Sequence, residues 1–325
     1  EFISINLKSI IRSMRIKPII IVAGEPNSIF FEIFFKSIKN KKYKSPLILI
    51  CCKKILKQQL TKFNLKKKIR FLEIFNLRNN YLDNKKINII DVERKKSLKN
   101  YLHNCFEVAF NLIRKKYTYK LINGPINKYN FLDKKFLGVT EYISSNFKEK
   151  KTGMLIYNEE LSVSPLTTHL PIKLVAKKVT KKLVKEKILI IDNFFKKHMG
   201  FRPRIGVTGL NPHCESIRNF NEDKEIITKV IKSLKKKRYK VEGPFAADTI
   251  FLKNNRKKYN VILGMYHDQV LTAAKTLFEF DAINITMGLP FLRVSPDHGP
   301  NTRMLGKNKS NPISLIKAIN FLDKK

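Results

Sequence analysis

The chain has 325 residues, 43% of them hydrophobic, and a formal net charge of +40 at pH 7. That is enough chain for one large or two medium domains around a sizeable core, and no apolar run approaches the roughly 20 residues a bilayer span needs. The charge invites a nucleic-acid reading, but Lys far outnumbers Arg, and Lys, Asn, Ile and Phe are enriched in strands and loops alike, so a bias toward AT-rich codons accounts for the charge and no nucleic-acid partner is expected.

Residues 1–13 precede the first methionine, Met14, and read as a fragment end or an extension outside the fold. The apolar stretch Ile19 to Gly24 is strand-sized and lacks the small-residue cleavage site of a signal peptide. Cys51, Cys52, Cys105 and Cys214 form no C-x-x-C pair, so neither a zinc knuckle nor a disulfide framework is indicated, and a reducing compartment fits. A cytoplasmic protein with no membrane partner is expected.

In chain order, the first predicted strand is Pro18–Val22, followed by a turn at Gly24–Ser28 and a helix from Ile29 to Ile38. Further strands fall at Pro46–Cys51, Ile69–Ile74 and Ile87–Asp91. Ser97 to Lys116 reads as a helix with Ser97 as its N-cap; its apolar stripe is Leu98, Tyr101, Leu102, Cys105, Phe106, Ala109, Leu112 and Ile113. A strand at Tyr119–Ile122 runs into Asn123-Gly124-Pro125. One long helix is predicted from Ile172 to about His198, with Gly200 as its stop signal. Short apolar runs alternating with amphipathic stretches give an α/β protein with a mostly parallel sheet.

The second half repeats one arrangement three times. The apolar runs Leu161–Thr168, Arg204–Pro212 and Val261–Tyr266 lead into His169, His213 and His267. In open parallel sheets the carboxyl ends of strands line one edge, where ligands bind. Neutral imidazole is a common transition-metal ligand, and three leave a position open for substrate. Any one of them reads as well as a partly buried histidine bonded to backbone; three at equivalent positions point to a shared metal. His103 falls on the polar face of its helix and reads as solvated. His198 closes a helix, where a cation suits the dipole. His298 sits in a Pro-Asp-His-Gly-Pro turn and is a site candidate.

Lys275, Asn284 and Arg293 lie in or beside apolar segments after His267. Cations and amides near a metal suit a phosphorylated or carboxylated substrate, although Lys275 reads equally as part of a solvated helix face. Asp248, an acid in an otherwise apolar turn, is either a helix N-cap or a catalytic or metal-orienting carboxylate.

Several segments together resemble the 4-hydroxythreonine-4-phosphate dehydrogenase family: Asn123-Gly-Pro-Ile-Asn-Lys128, Gly138-Val-Thr-Glu141, Thr167-Thr-His-Leu-Pro171, Gly209-Leu-Asn-Pro-His213, Gly243-Pro-Phe-Ala-Ala-Asp-Thr249, Tyr266-His-Asp-Gln269, Asn284-Ile-Thr-Met-Gly-Leu-Pro290 and Asp297-His-Gly299. The match runs from about Pro18 to the C-terminus in the family's order. It implies a three-layer α/β/α fold like that of isocitrate and isopropylmalate dehydrogenases, with two domains and a cleft between them. Residues 14–138 with 285–325 would form one domain and 139–284 the other. It implies a homodimer with the active site near the interface. By motif, His169, His213 and His267 would hold a divalent metal (Zn, Mg or Co). Thr140, Lys275, Asn284 and Arg293 would contact substrate, Asp248 would be catalytic, and Asp297, His298 and Gly299 would hold NAD or NADP.

The implied reaction oxidises the C3 hydroxyl of a phosphorylated amino acid, 4-phosphooxy-threonine, with decarboxylation to 3-amino-2-oxopropyl phosphate, in vitamin B6 biosynthesis. The chain departs from the family at Val139, where His precedes the Thr, and at Asn127, where His is common. Glycines are lost from the turn Gly24–Glu32, and Cys214-Glu215-Ser216 replaces a small Gly-containing loop. These departures leave a rival reading, a non-catalytic homologue that keeps the fold and binds metal or ligand.

Overall fold

The computed structural model describes residues 16–39, 41–79, 82–95, 97–132, 136, 138–215, 220–296 and 299–325; the extension read at residues 1–13 lies outside them. The chain divides into two compact units, Glu1–Val139 with Pro290–Lys325 and Thr140–Leu289. The first begins with β1 (Ile19–Val22), α1 (Phe30–Lys39), β2 (Leu47–Cys51), α2 (Lys53–Lys62), β3 (Ile69–Phe71), β4 (Ile87–Asp91), α3 (Leu98–Arg114), β5 (Lys120–Asn123) and the short α4 (Lys128–Leu132). The second holds α5 (Val139–Asn146), β6 (Gly153–Tyr157), β7 (Ser162–Thr167), α6 (Ile172–Lys178), α7 (Lys181–Met199), β8 (Ile205–Thr208), α8 (Lys229–Lys236), β9 (Val241–Phe245), α9 (Ala247–Ile250), α10 (Lys253–Arg256), β10 (Val261–Tyr266), α11 (His267–Phe278) and β11 (Ile283–Met287). The chain then returns to the first unit as β12 (Leu292–Pro296) and α12 (Ile313–Asp323).

In the first unit the strand order is β3-β4-β2-β1-β5-β12, and every pairing is parallel. Ile19, Ile20, Ile21 and Val22 are all 0% exposed. A strand covered on both faces reads as an unbroken apolar run, which is how β1 reads in the sequence. Helix α1 packs four buried phenylalanines, with Phe30 and Phe34 stacked at 5.8 Å. Its buried Glu32 accepts from Lys36 Nζ at 2.9 Å and from the Ser310 amide at 2.6 Å, which ties α1 to the segment entering α12. At the other end of α12, the Asp323 carboxylate accepts from the amides of Lys44 and Ser45.

Helix α3 has the expected cap: Ser97 Oγ accepts from the Asn100 amide at 3.2 Å. Its buried face includes Phe110 besides the expected stripe, of which Leu98 is only half-buried. His103 is not solvated. It is half-buried, its ring 4.5 Å from the Phe131 ring, because α4 packs over that face. The third strand ends at Phe71, and a 3₁₀ turn, Ile74–Asn79, follows.

In the second unit the order is β11-β6-β7-β10-β8-β9. Strand β6 runs antiparallel to both neighbours, whereas β7, β10, β8 and β9 are mutually parallel. Helix α11 packs on β7 and β10, burying Val270, Leu271 and Ala274 in a core with Val163 and Ile262. The single helix expected from Ile172 to His198 is two. Val179 is buried, and Thr180 starts a new helix by accepting the Leu183 amide on its hydroxyl at 3.2 Å. Gly200 does end α7, in the left-handed conformation at φ 79°. Among the described residues no helix is long and apolar enough to cross a membrane, and all four cysteines are free thiols.

Lys187, inside α7, is 6% exposed and donates to the Thr152 carbonyl at 3.0 Å. Burial lowers its pKa to about 8, against the opposing pull of the Glu141 and Glu186 carboxylates. An unfolded chain keeps the ordinary value, 10.5. Between those values the unfolded state binds more protons, so the stability due to Lys187 rises with pH through that window and is absent below it. The unfolding free energy of the parent minus that of Lys187→Met, from urea denaturation, is therefore expected to grow from about pH 7.5 to about pH 10. A pH-independent difference would contradict the depressed pKa.

Candidate metal and substrate site

Three adjacent parallel strands, β7, β10 and β8, end at one edge of the sheet, and each leads into one of the three histidines. His169 stands two residues beyond β7, and His267 is the first residue of α11, directly after β10. His213 lies in a 3₁₀ turn, Pro212–Cys214, after β8. The next strand, β9, leads into α9, which carries Asp248. The ends of β7 and β10 are joined by a hydrogen bond from Thr167 Oγ1 to the Met265 carbonyl at 2.8 Å.

The rings of His169 and His267 lie 6.0 Å apart, centre to centre, with their planes at 38°. Two imidazoles bonded to one tetrahedral ion at about 2.0–2.1 Å hold their ring centres about 5 Å apart. The pair is thus within about 1 Å of ligand spacing. His267 Nδ1 is 2.6 Å from Asp268 Oδ1. With Nδ1 donating to the carboxylate, the lone pair of Nε2 is the one turned outward, the arrangement that orients a metal-binding histidine.

His213 is placed differently. It and Cys214 both have left-handed backbone, at φ 54° and 63°. His213 is exposed, and among the described residues no three His, Cys, Asp or Glu side chains meet at one point. The structure therefore brings together two of the three expected ligands and sets the third on the adjoining strand end. The donors are imidazoles, a set that suits Zn or Co better than Mg, which takes oxygen ligands.

The loop bearing His213 is closely held. The Gly209 amide donates to the Phe245 carbonyl at 2.8 Å. Asp223, 1% exposed, accepts from the amides of Leu210 at 2.6 Å and Asn211 at 3.2 Å, and from Asn211 Nδ2 at 2.9 Å. Burial raises the Cys214 thiol pKa, and the Asp223 and Asp248 carboxylates add to it, against the lowering effect of the Gly209 backbone. Asp248 is thus one of the charges that raise the Cys214 pKa. It is not the helix N-cap: that residue is Ala246, and Asp248 is an exposed position inside α9.

Thr140 sits in the first turn of α5, half-buried. Lys275 is half-buried on α11, eight residues or about 12 Å along the axis from His267. Asn284, on β11, has a buried Oδ1 with no hydrogen-bond partner, a state that costs about 1–3 kcal/mol until a donor satisfies it. Arg293 belongs to the other unit. It is 3% exposed on β12, and its Nε donates to Asn123 Oδ1 at 2.8 Å. Asp297 and His298 lie outside the described residues. Gly299 has open space at its missing Cβ, so no crowding there demands glycine. Asn127, where the family often has His, caps α4 by accepting from the Tyr129 amide at 3.0 Å.

Sequence reasoning missed Asp223, Asp268 and Gln269 as site-building residues. Gln269 was visible as the last residue of Tyr266-His-Asp-Gln269; Asp223 lies in no motif, and only the fold reveals it.

Residues 42–322 match the family described as "Pyridoxal phosphate biosynthetic protein PdxA". A 4-hydroxythreonine-4-phosphate dehydrogenase from Sulfurihydrogenibium sp. (strain YO3AOP1) is 33% identical over 314 residues, covering 92% of this chain and 95% of the relative. The crystal structure of 4-hydroxythreonine-4-phosphate dehydrogenase from Klebsiella pneumoniae superposes with a TM-score of 0.80 at 26% identity, covering 94% of this chain and 98% of that one. A β-decarboxylating dehydrogenase from Thermococcus kodakarensis shares the fold alone, at TM-score 0.50 and 10% identity over 94% of this chain and 82% of that one.

A Cβ at Gly209 would lie 2.6 Å from Cys214 Sγ and 2.8 Å from Asp223 Oδ1. Asp223 is fixed by its three bonds and cannot yield cheaply. Gly209→Ala is expected to destabilise the protein by about 1–3 kcal/mol, read from urea denaturation. An unchanged midpoint would show that the loop relaxes freely.

Proposed function

The chain belongs to the PdxA family of pyridoxal phosphate biosynthetic proteins, and on that premise we propose that it is an NAD-linked 4-hydroxythreonine-4-phosphate dehydrogenase with a divalent metal at His169, His213 and His267. The reaction removes a hydride from C3 and a proton from its hydroxyl. The resulting β-keto acid loses CO2, and reprotonation leaves 3-amino-2-oxopropyl phosphate. The observation that carries this reading is the near-ligand spacing of His169 and His267 at the carboxyl edge of β7 and β10.

When bound, the metal supplies Lewis acidity at the reacting oxygen, and NAD or NADP supplies the two-electron acceptor. The protein's own groups do the rest. Asp268 holds the tautomer of His267. The orphaned Asn284 Oδ1 is an acceptor suited to an ammonium or hydroxyl of the substrate. Lys275 and Arg293 bring positive charge for the phosphate, Arg293 with a planar fork preset by Asn123. The Thr140 hydroxyl offers a donor where Val139 offers none. Asp248 is proposed as an acid–base group, and Asp297, His298 and Gly299 as dinucleotide contacts. The enzyme works as a homodimer in the cytoplasm. A non-catalytic homologue is the less favoured alternative, because dehydrogenase relatives align along nearly the whole chain.

The test is NADH formation from 4-phosphooxy-threonine by protein stripped with a strong chelator and then reloaded. Activity should vanish on stripping and return with Zn or Co. His267→Ala should lower kcat/KM by about 100-fold or more. NADH formation at the parent rate by stripped protein, or by His267→Ala, would overturn the assignment.

A further inference from the structure

We propose that Gln269 sets the spacing between the His213 turn and the amino end of α11, which carries His267. This positioning role rests on the metal reading above. Gln269 is half-buried and uses both ends of its carboxamide across two strand ends. Its Oε1 accepts from the Met265 amide at 2.7 Å and from Thr208 Oγ1 at 2.8 Å. Its Nε2 donates to the Gly209 carbonyl at 2.8 Å. Met265 is two residues before His267, and Gly209 is four residues before His213. One side chain thereby fixes the last residue of β8 and the first residue of the His213 loop against β10 and α11.

The chain around it is shaped to admit this group. A Cβ at Gly264 would lie 2.4 Å from Val270 Cγ1 and 3.1 Å from Gln269 Oε1. Thr208, fully buried, has its hydroxyl turned to the same oxygen. The bonds to Thr208 and Gly209 span 61 and 60 residues of sequence, so they do not stabilise a local turn. They join the elements that deliver two different histidines. The ties of the loop to Asp223 and Phe245 run to the helical segment Asp223–Thr228 and to β9, whereas the bonds of Gln269 run to α11.

Two substitutions separate the parts. Gln269→Met keeps the length and loses all three bonds. Gln269→Glu keeps the acceptor and replaces the donor with an oxygen facing the Gly209 carbonyl, so it pushes the His213 loop away while leaving β10 held. The readouts are Co(II) affinity, by competition with a chromophoric chelator, and the visible absorption of the Co(II)-loaded protein, which reports coordination number and geometry. Thermal unfolding of the metal-free proteins is measured alongside. Both variants should bind Co(II) about 10-fold or more weakly and show an altered Co(II) spectrum, while the metal-free proteins still unfold cooperatively.

His213→Ala and His267→Ala serve as the reference. If they bind Co(II) as the parent does, the metal reading falls and this inference falls with it. If they lose Co(II) while both Gln269 variants keep the parental affinity and spectrum, the site stands and the role of Gln269 is overturned.

Discussion

Parallel pairing of β10 with β7 on one side and β8 on the other puts three carboxyl ends side by side, and the site depends on that alignment. A parallel pair needs a long crossover, so residues far apart in sequence arrive at neighbouring positions on one edge. Each strand leads into a histidine-bearing segment, a loop, a 3₁₀ turn or the start of α11, and the edge is cross-linked where these segments leave it. Thr167 bonds Met265, Gln269 bonds Thr208 and Gly209, and Gly209 bonds Phe245 at the end of β9. The sheet thus sets the coarse spacing of the histidines, and a few polar side chains set the fine spacing.

Much of this was legible in the sequence because burial leaves a pattern. Strand β1 is an unbroken apolar run because it is covered on both faces, and α3 shows its core stripe and its Ser97 cap. The histidines stood out because each follows an apolar run, where a polar residue marks a strand end. What was not legible depends on long-range contacts. The break at Val179 and Thr180 has no proline or glycine to announce it; a hydroxyl cap in a lysine-rich stretch outweighs helix continuity there. His103 looks solvated by periodicity because helical phase shows which face it shares and not that α4 covers that face. Asp223 has no motif, since its value comes from backbone amides twelve and thirteen residues upstream.

The composition imposes its own constraint. With so many lysines most stand in water, and the few that are buried have specific partners. Lys187 reaches the Thr152 carbonyl, and Lys120, 2% exposed, reaches Ser45 Oγ at 3.0 Å. Burial lowers the pKa of both. Positive charge in this chain is therefore informative only where it is buried or held, as at Arg293 against Asn123. The lysine-rich surfaces carry no comparable message, which is why the functional reading rests on the strand-edge histidines and not on the net charge.

The most direct test of this account is the X-ray absorption fine structure of the Zn-loaded protein at the zinc edge. Three imidazole nitrogens at about 2.0–2.1 Å, reduced to two in His213→Ala, are the expected result. Sulfur in the first coordination shell, or a spectrum unaltered by His213→Ala, would place the metal elsewhere and contradict the assignment of the β7, β10 and β8 ends as the catalytic edge.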